Sequence, residues 1–134
     1  MTRITCAALL LAAALLSACD AGEPEQAAPG DLVVTLDTPG NSDRALLLTL
    51  SGPAAVTAVQ GAAPSYVVHA RTQGTTTRVA VFGVVGDGPL LRVTVPDVRQ
   101  AGRYTATLVE SAGASNVPHA DLTGYELTVS RAGS

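Results

Sequence analysis

From residue 31 onward the hydrophobic positions recur at every second residue. Leu32, Val34 and Leu36 alternate with Val33 and Thr35; Leu46, Leu48 and Leu50 share one face of 45–50; Leu91, Val93 and Val95 share one face of 90–95. Successive side chains of a strand point to opposite faces, so a period of two predicts strands with one buried face. The pattern returns in 103–110 through Tyr104, Ala106 and Leu108, and in 123–130 through Tyr125, Leu127 and Val129. Residues 54–60 carry Val56 and Val59 off strict alternation, which predicts a short bulged or edge strand. Residues 65–72 predict another, closed by Gly74. The segment 75–85 is the most apolar, with scarcely a polar position after Val79, and the expectation is a central strand covered on both faces. No segment shows a helical stripe sustained over three turns.

Turn chemistry separates these runs. Asp37-Thr38-Pro39-Gly40-Asn41, Ser51-Gly52-Pro53, Gly86-Asp87-Gly88 and Pro96 each end a strand. Asp-Gly takes positive φ readily, so the turn at 86–88 predicts two adjacent antiparallel strands. Residues 111–122 read as a polar loop containing Pro118 and His119. Seven to nine short strands at such spacing predict an all-β fold, an antiparallel β-sandwich. The stretch 31–51, with its Leu-Val-Val-Thr-Leu and Leu-Leu-Leu-Thr-Leu-Ser-Gly strands, and Gly-Pro-Leu-Leu-Arg-Val-Thr-Val-Pro at 88–96 resemble cohesin-type domains. The resemblance implies a cohesin-like jelly roll that offers one sheet face to a protein partner; an Ig-like sandwich is the other form the pattern allows.

The start of the chain follows a different pattern. Arg3 precedes a short apolar stretch over 4–16, followed by the small residues Ser17 and Ala18, Cys19, and acidic Asp20. A positive start, an apolar stretch of roughly 7–15 residues and a small-residue cleavage site make a secretory leader. The run falls short of the ~20 apolar residues a membrane-spanning helix needs. Leu16-Ser17-Ala18-Cys19 resembles the lipobox of bacterial lipoproteins. That resemblance implies a diacylglyceryl thioether on Cys19, cleavage between Ala18 and Cys19, and acylation of the freed amino group. Two or three acyl chains suffice for stable anchoring. The implied location is the bacterial cell envelope, membrane-anchored outside the cytoplasm, with inner and outer membrane both open. Asp20 resembles the inner-membrane retention signal of some Gram-negative lipoproteins. The expected organisation is a signal peptide over 1–18, a lipidated cysteine and tether over 19–30, and the sandwich over 31–134. Cys6 would leave with the leader, so no disulfide is expected in the mature chain.

Composition narrows the function classes. The mature chain of 116 residues would carry seven arginines against eleven acidic residues and no lysine. Without a basic excess it lacks the footprint of a nucleic-acid binder. One phenylalanine, three tyrosines and no tryptophan leave little for stacking on bases or sugars. His69 and His119, with Ser65, Ser111 and Ser115, contain the residue types of a hydrolase triad but no Gly-x-Ser-x-Gly elbow. Two histidines some fifty residues apart, with no mature cysteine, do not have zinc-ligand spacing. Asp37, Asn41 and Asp43 gather oxygen donors in one loop and are the calcium candidates, although Asp and Asn are also the residues that loops use to turn. Arg92, Arg99 and Arg103 are read as solvating an outer face. Tyr104 and Tyr125 are read as rings that bury and tie down a loop, in the manner of a tyrosine corner.

The expectation is a lipid-anchored, non-catalytic module for protein interaction or structure, with no cofactor. Its partners would be the membrane, through Cys19, and a protein on the sandwich face. The alternative is binding of a small ligand, a cation or a glycan, by the loops 37–43 and 111–122. An exported hydrolase is the third and least supported reading.

Overall fold

The computed structural model describes residues 26–40 and 42–133. The leader, the Ala18/Cys19 cleavage site, the lipidation position Cys19 and the calcium candidate Asn41 all lie outside the described residues. The described residues form eight strands: β1 (Gly30–Asp37), β2 (Asp43–Ser51), β3 (Ala58–Gly61), β4 (Val67–Gln73), β5 (Thr76–Val85), β6 (Gly88–Val95), β7 (Thr105–Ala112) and β8 (Glu126–Arg131). A 3-10 helix, Val98–Arg103, joins β6 to β7. The strands make two antiparallel four-stranded sheets, β3-β6-β1-β8 and β4-β5-β2-β7, packed face to face as a β-sandwich.

The pairing is nested. β1 pairs with β8, β2 with β7, β3 with β6 and β4 with β5, and the sheets are completed by β1–β6 and β2–β5. This is the nesting of one long hairpin rolled into two layers, as in a jelly roll. An Ig-like sandwich instead pairs its first two strands within one sheet. The hairpin turns between β4 and β5, where Gly74 takes φ of 62°, a left-handed conformation that glycine enters without a Cβ penalty.

The alternating positions do fill the core. Leu32, Val34 and Leu36 of β1 meet Leu46, Leu48 and Leu50 of β2 across the sandwich, with Val79, Val81 and Val85 of β5 and Leu91, Val93 and Val95 of β6. Burying one such Leu or Val side chain contributes roughly 1.5–3 kcal/mol.

Several expectations are corrected. The strand over 75–85 sits inside its sheet, but only one face is covered: Thr77, Val79 and Val81 are buried while Arg78 and Phe82 are exposed. Its apolar run therefore reflects an uncovered apolar surface rather than a second buried layer. The turn at 86–88 does not join paired neighbours, because β5 and β6 belong to different sheets and the turn carries the chain from one layer to the other. β3 is an edge strand, as its irregular pattern suggested. Tyr104 and Tyr125 stand just before β7 and β8 rather than within them. The last residues of the stretch expected to be a tether are also held, since the Val98 N–H donates to Ala28 O at 2.8 Å and β1 begins at Gly30.

The sandwich consequently has two distinct ends. At one, hereafter the tether pole, lie Ala28, the β2–β3 loop, the β4–β5 turn and the 3-10 helix. At the other, the loop pole, the connections 38–42, 86–87 and 113–125 come together.

Candidate functional site

The loop pole is built around one carboxylate. β1 ends at Asp37 and the chain turns back through 38–42 to Asp43, the first residue of β2, whose backbone pairs with Val85. β7 ends at Ser111 and Ala112, and the long loop that follows is stitched back to it by a bridge between Ala112 and Pro118. The His119 N–H then donates to Ser111 O at 2.7 Å, which fixes the imidazole beside the start of β2. Tyr125 N–H closes the loop onto Leu122 O at 3.1 Å. Asp43, His119 and Tyr125, far apart in sequence, thus meet.

Asp43 is only 3% exposed. Its carboxylate accepts from the Tyr125 hydroxyl, which lies 3.1 and 3.0 Å from the two oxygens, and from His119 Nε2 at 3.0 Å. The Thr38 hydroxyl lies 3.3 Å from Oδ2 and 2.8 Å from Gly40 O, so its single proton serves one or the other. Buried Ser111 donates to the Tyr125 oxygen at 3.4 Å. Removing a carboxylate from water costs several kcal/mol unless donors replace the solvent. Here they do, and among the described residues no buried side-chain nitrogen or oxygen lacks a partner. The network ties three segments together: the 38–42 loop, the start of β2 and the 113–125 loop.

Of the triad residue types, the fold brings together Asp43 and His119, with Ser111 one step further through Tyr125. A triad needs the nucleophile on the histidine; here the serine is on the tyrosine. Ser115 lies in the exposed part of the loop. His69 lies on the outer face of the second sheet, edge-on to Phe82 with ring centroids 6.2 Å apart. Asp37, the other described calcium candidate, is exposed at the end of β1, whereas Asp43 turns its oxygens inward to the donors just named. No group of three or more His, Cys, Asp or Glu side chains is arranged for a metal ion among the described residues. A shallow cavity of about 260 Å³ opens over the network, lined by Pro39, Asp43, His119, Asp121, Thr123 and Tyr125. At its rim, the Thr123 N–H and hydroxyl donate to Asp121 at 2.9 and 2.6 Å and hold that carboxyl below its ordinary pKa.

The tether pole is organised around Asp97, the residue before the 3-10 helix. Its carboxylate accepts from the Arg99 N–H at 3.0 Å, from the Arg99 guanidinium at 2.9 Å and from the Ala28 N–H at 3.4 Å. The Arg99 side chain is the largest cause of a pKa lowered to about 2. Arg131 Nε donates to Val98 O at 3.0 Å, so the end of β8 is fastened to the same turn. Tyr104 follows the helix with its ring over Gly52 and its hydroxyl accepting from the Ala54 N–H. Burial, then the nearby Asp97 charge, raises the Tyr104 pKa. Tyr104 is therefore the loop-fastening tyrosine the sequence suggested, and Tyr125 fastens a loop by way of a carboxylate. Arg92, Arg99 and Arg103 do not form one patch: Arg92 pairs with Asp31 at 3.5 Å and Arg99 with Asp97.

Sequence reasoning did not find Asp97 as a hub, although Pro-Asp-x-Arg carried the signal: an Asp after a strand-ending proline is a ready cap for the next turn. It did not find Thr38 and the Asp43–His119 pairing either, because nothing local marks two residues 76 positions apart as neighbours.

No known protein family, curated protein or solved structure matches this chain.

Proposed function

We propose that the chain is a lipid-anchored protein of the bacterial envelope whose sandwich acts as a non-catalytic module for protein interaction or structure. The anchor reading is supported by Leu16-Ser17-Ala18-Cys19 behind a short apolar leader. The observation that carries the interaction reading is an apolar surface beside β4 and β5. Val67 and Phe82 face one another across the two strands at 55% and 44% exposure, and Val84 follows at 60%. Single exposed apolar residues are ordinary, whereas a contiguous group rimmed by polar side chains marks a contact surface. The engagement of Asp43 by Tyr125, His119 and Thr38 supports the non-catalytic part, since its role is met by tying loops together.

Two experiments test this reading. Cys19→Ser should move the protein from the membrane to the soluble fraction with the domain still folded; recovery in the membrane would remove the anchor. A Phe82→Asp/Val84→Asp variant should lose a stoichiometric protein partner that wild type captures from solubilised membranes. Equal capture by both would take the interaction site off this surface.

A second reading is favoured by one observation: the two loops that sequence analysis marked for ligand binding enclose a common polar cavity. The cavity rim, with Asp121 and Thr123, offers polar groups to a small cation or to a hydroxyl-rich ligand such as a glycan. Thermal melting against millimolar calcium and a panel of sugars decides it, and the absence of any shift ends this alternative.

A further inference from the structure

The charges of the sandwich are sorted along its long axis. Described residues include seven arginines and eight acidic residues, close to balance. Arg71, Arg78, Arg99, Arg103 and Arg131 all lie at or near the tether pole, where the acids are Asp31 and Asp97, each already bonded to an arginine. Asp37, Asp43, Asp87, Asp121 and Glu126 gather at the loop pole, where the only arginine is Arg44. Arg71 and Arg78 stand directly opposite one another on β4 and β5, and no ion pair joins either to a carboxylate among the described residues. With Gln73 and Thr76 they line a hollow of about 370 Å³. Like charges directly opposite across a sheet are destabilising, so this pair is poised for an external anion.

We propose that the tether pole is a membrane-docking face, with Arg71, Arg78 and Arg103 set against the phosphate headgroups of an anionic bilayer. This rests on the anchored reading above and extends it to how the domain sits on the lipid. The tether decides between the two ends. Ala28 is fixed beside Asp97 and Val98, and Cys19 is nine residues away. A coil of nine residues would reach roughly 15–18 Å on average and about 30 Å fully extended. Strands of eight to nine residues make the sandwich roughly 27–30 Å long between its poles. Turning the loop pole to the lipid would need the tether to run the whole domain near full stretch. With the arginines towards the lipid, nine residues suffice without being stretched. Screening limits attraction to about 8–10 Å of the surface, a distance within reach of the tether pole and outside that of the loop pole unless the nine residues are nearly extended. The exposed apolar group Val67, Phe82 and Val84 is then carried towards the far end, and docking is electrostatic rather than insertive. Asp20, Glu23 and Glu25 lie in sequence between Cys19 and the sandwich, and their negative charge would oppose docking on an anionic surface.

The test uses the chain from residue 19 onward with Cys19→Ser, whose core residues all lie from Leu32 to Tyr104 and are untouched by loss of the leader. It is sedimented with neutral phosphatidylcholine vesicles and with vesicles that include phosphatidylglycerol. Binding to the anionic vesicles alone, abolished by high salt, is expected. Arg71→Gln/Arg78→Gln/Arg103→Gln should weaken it on the order of 100-fold, at about fivefold per arginine, while melting as wild type does. Asp20→Asn/Glu23→Gln/Glu25→Gln should bind equally or more tightly. Equal binding to neutral vesicles, indifference to the three arginines, or weaker binding by the tether variant overturns the proposal. Equally tight binding to a soluble polyanion such as heparin also overturns it, because the pole would then not be reading a bilayer. The protein carries no lipid in this assay, so docking can fail here while the Cys19→Ser fractionation still supports the anchor, and the reverse.

Discussion

The two ends of the sandwich close their loops by opposite means. At the loop pole a carboxylate is taken out of water and its cost is offset by a tyrosine, a histidine and a threonine that converge on it. At the tether pole the charged group, Asp97, is paired with the partly exposed Arg99 guanidinium, and closure comes from a ring laid on a glycine. Hydrogen-bond networks depend on every member being present and on which are ionised. Steric closure depends on volume alone. The loop pole should therefore be sensitive to polar substitutions that change no volume, and the tether pole to added or removed volume.

The largest effect is expected from the ring. Tyr104→Ala opens a cavity over Gly52 and should cost about 3–5 kcal/mol, a fall of roughly 4–8 °C in Tm per kcal/mol for a domain of this size. Gly52→Ala attacks the same contact from the other side, since a methyl group there would overlap the Tyr104 ring, and should cost about 1–3 kcal/mol. The cycle sharpens the comparison: Gly52→Ala should become close to neutral in the Tyr104→Ala background. Additive losses would mean that the glycine is needed for its backbone and not for its missing side chain.

At the loop pole the shape-conserving change is the informative one. Tyr125→Phe keeps the ring, removes the hydroxyl from Asp43, and leaves Ser111 without its acceptor. The expected loss is about 1–3 kcal/mol by urea unfolding. His119→Ala should cost less, roughly 0.5–1 kcal/mol, because the imidazole is 42% exposed and water can replace it. The ratio matters more than either value. If the histidine change were the more damaging, the carboxylate would be held mainly from the loop and not by the tyrosine at the foot of β8.

How much of this the sequence carried depends on the range of the interaction. The strands at β1, β2 and β6 were readable because Leu32/Val34/Leu36, Leu46/Leu48/Leu50 and Leu91/Val93/Val95 each record burial of one face in a period of two. The 75–85 segment misled for the same reason: apolar residues on both faces imply cover on both, and Phe82 and Val84 are apolar without cover. The turn at 86–88 was found but its partner strands were not, since Asp-Gly specifies a tight reversal and not which layer receives the next strand. The two loops of the candidate site were picked out by composition. Their union through Asp43 and His119 depends on the nesting of β2 with β7, a long-range fact with no local signature. The sorting of charge between poles is equally invisible along the chain, where Arg71, Arg99 and Arg131 look evenly scattered.

The smallest expected effect isolates the remaining difference, that the tether pole pairs its carboxylate with a guanidinium. Asp97 has its folded pKa lowered from 3.8 to about 2, chiefly by the Arg99 side chain. A depressed folded value means that the ionised carboxylate is favoured by the folded state. Its contribution is whole above the unfolded value near 4, fades as the pH falls through that value, and is gone below about 2. Wild type should therefore lose melting temperature between pH 4 and pH 2, and Asp97→Asn, which has nothing to titrate at that position, should lose less over the same window. Above pH 5 the two curves should run parallel, with the variant lower by the bonds to Arg99 and Ala28 that an amide makes less well. High salt should narrow the gap, because an ion pair at the surface is screened. Curves that stay parallel down to pH 2 would show that the Ala28 and 3-10 contacts hold without the charge, and the tether pole would then be closed by volume alone.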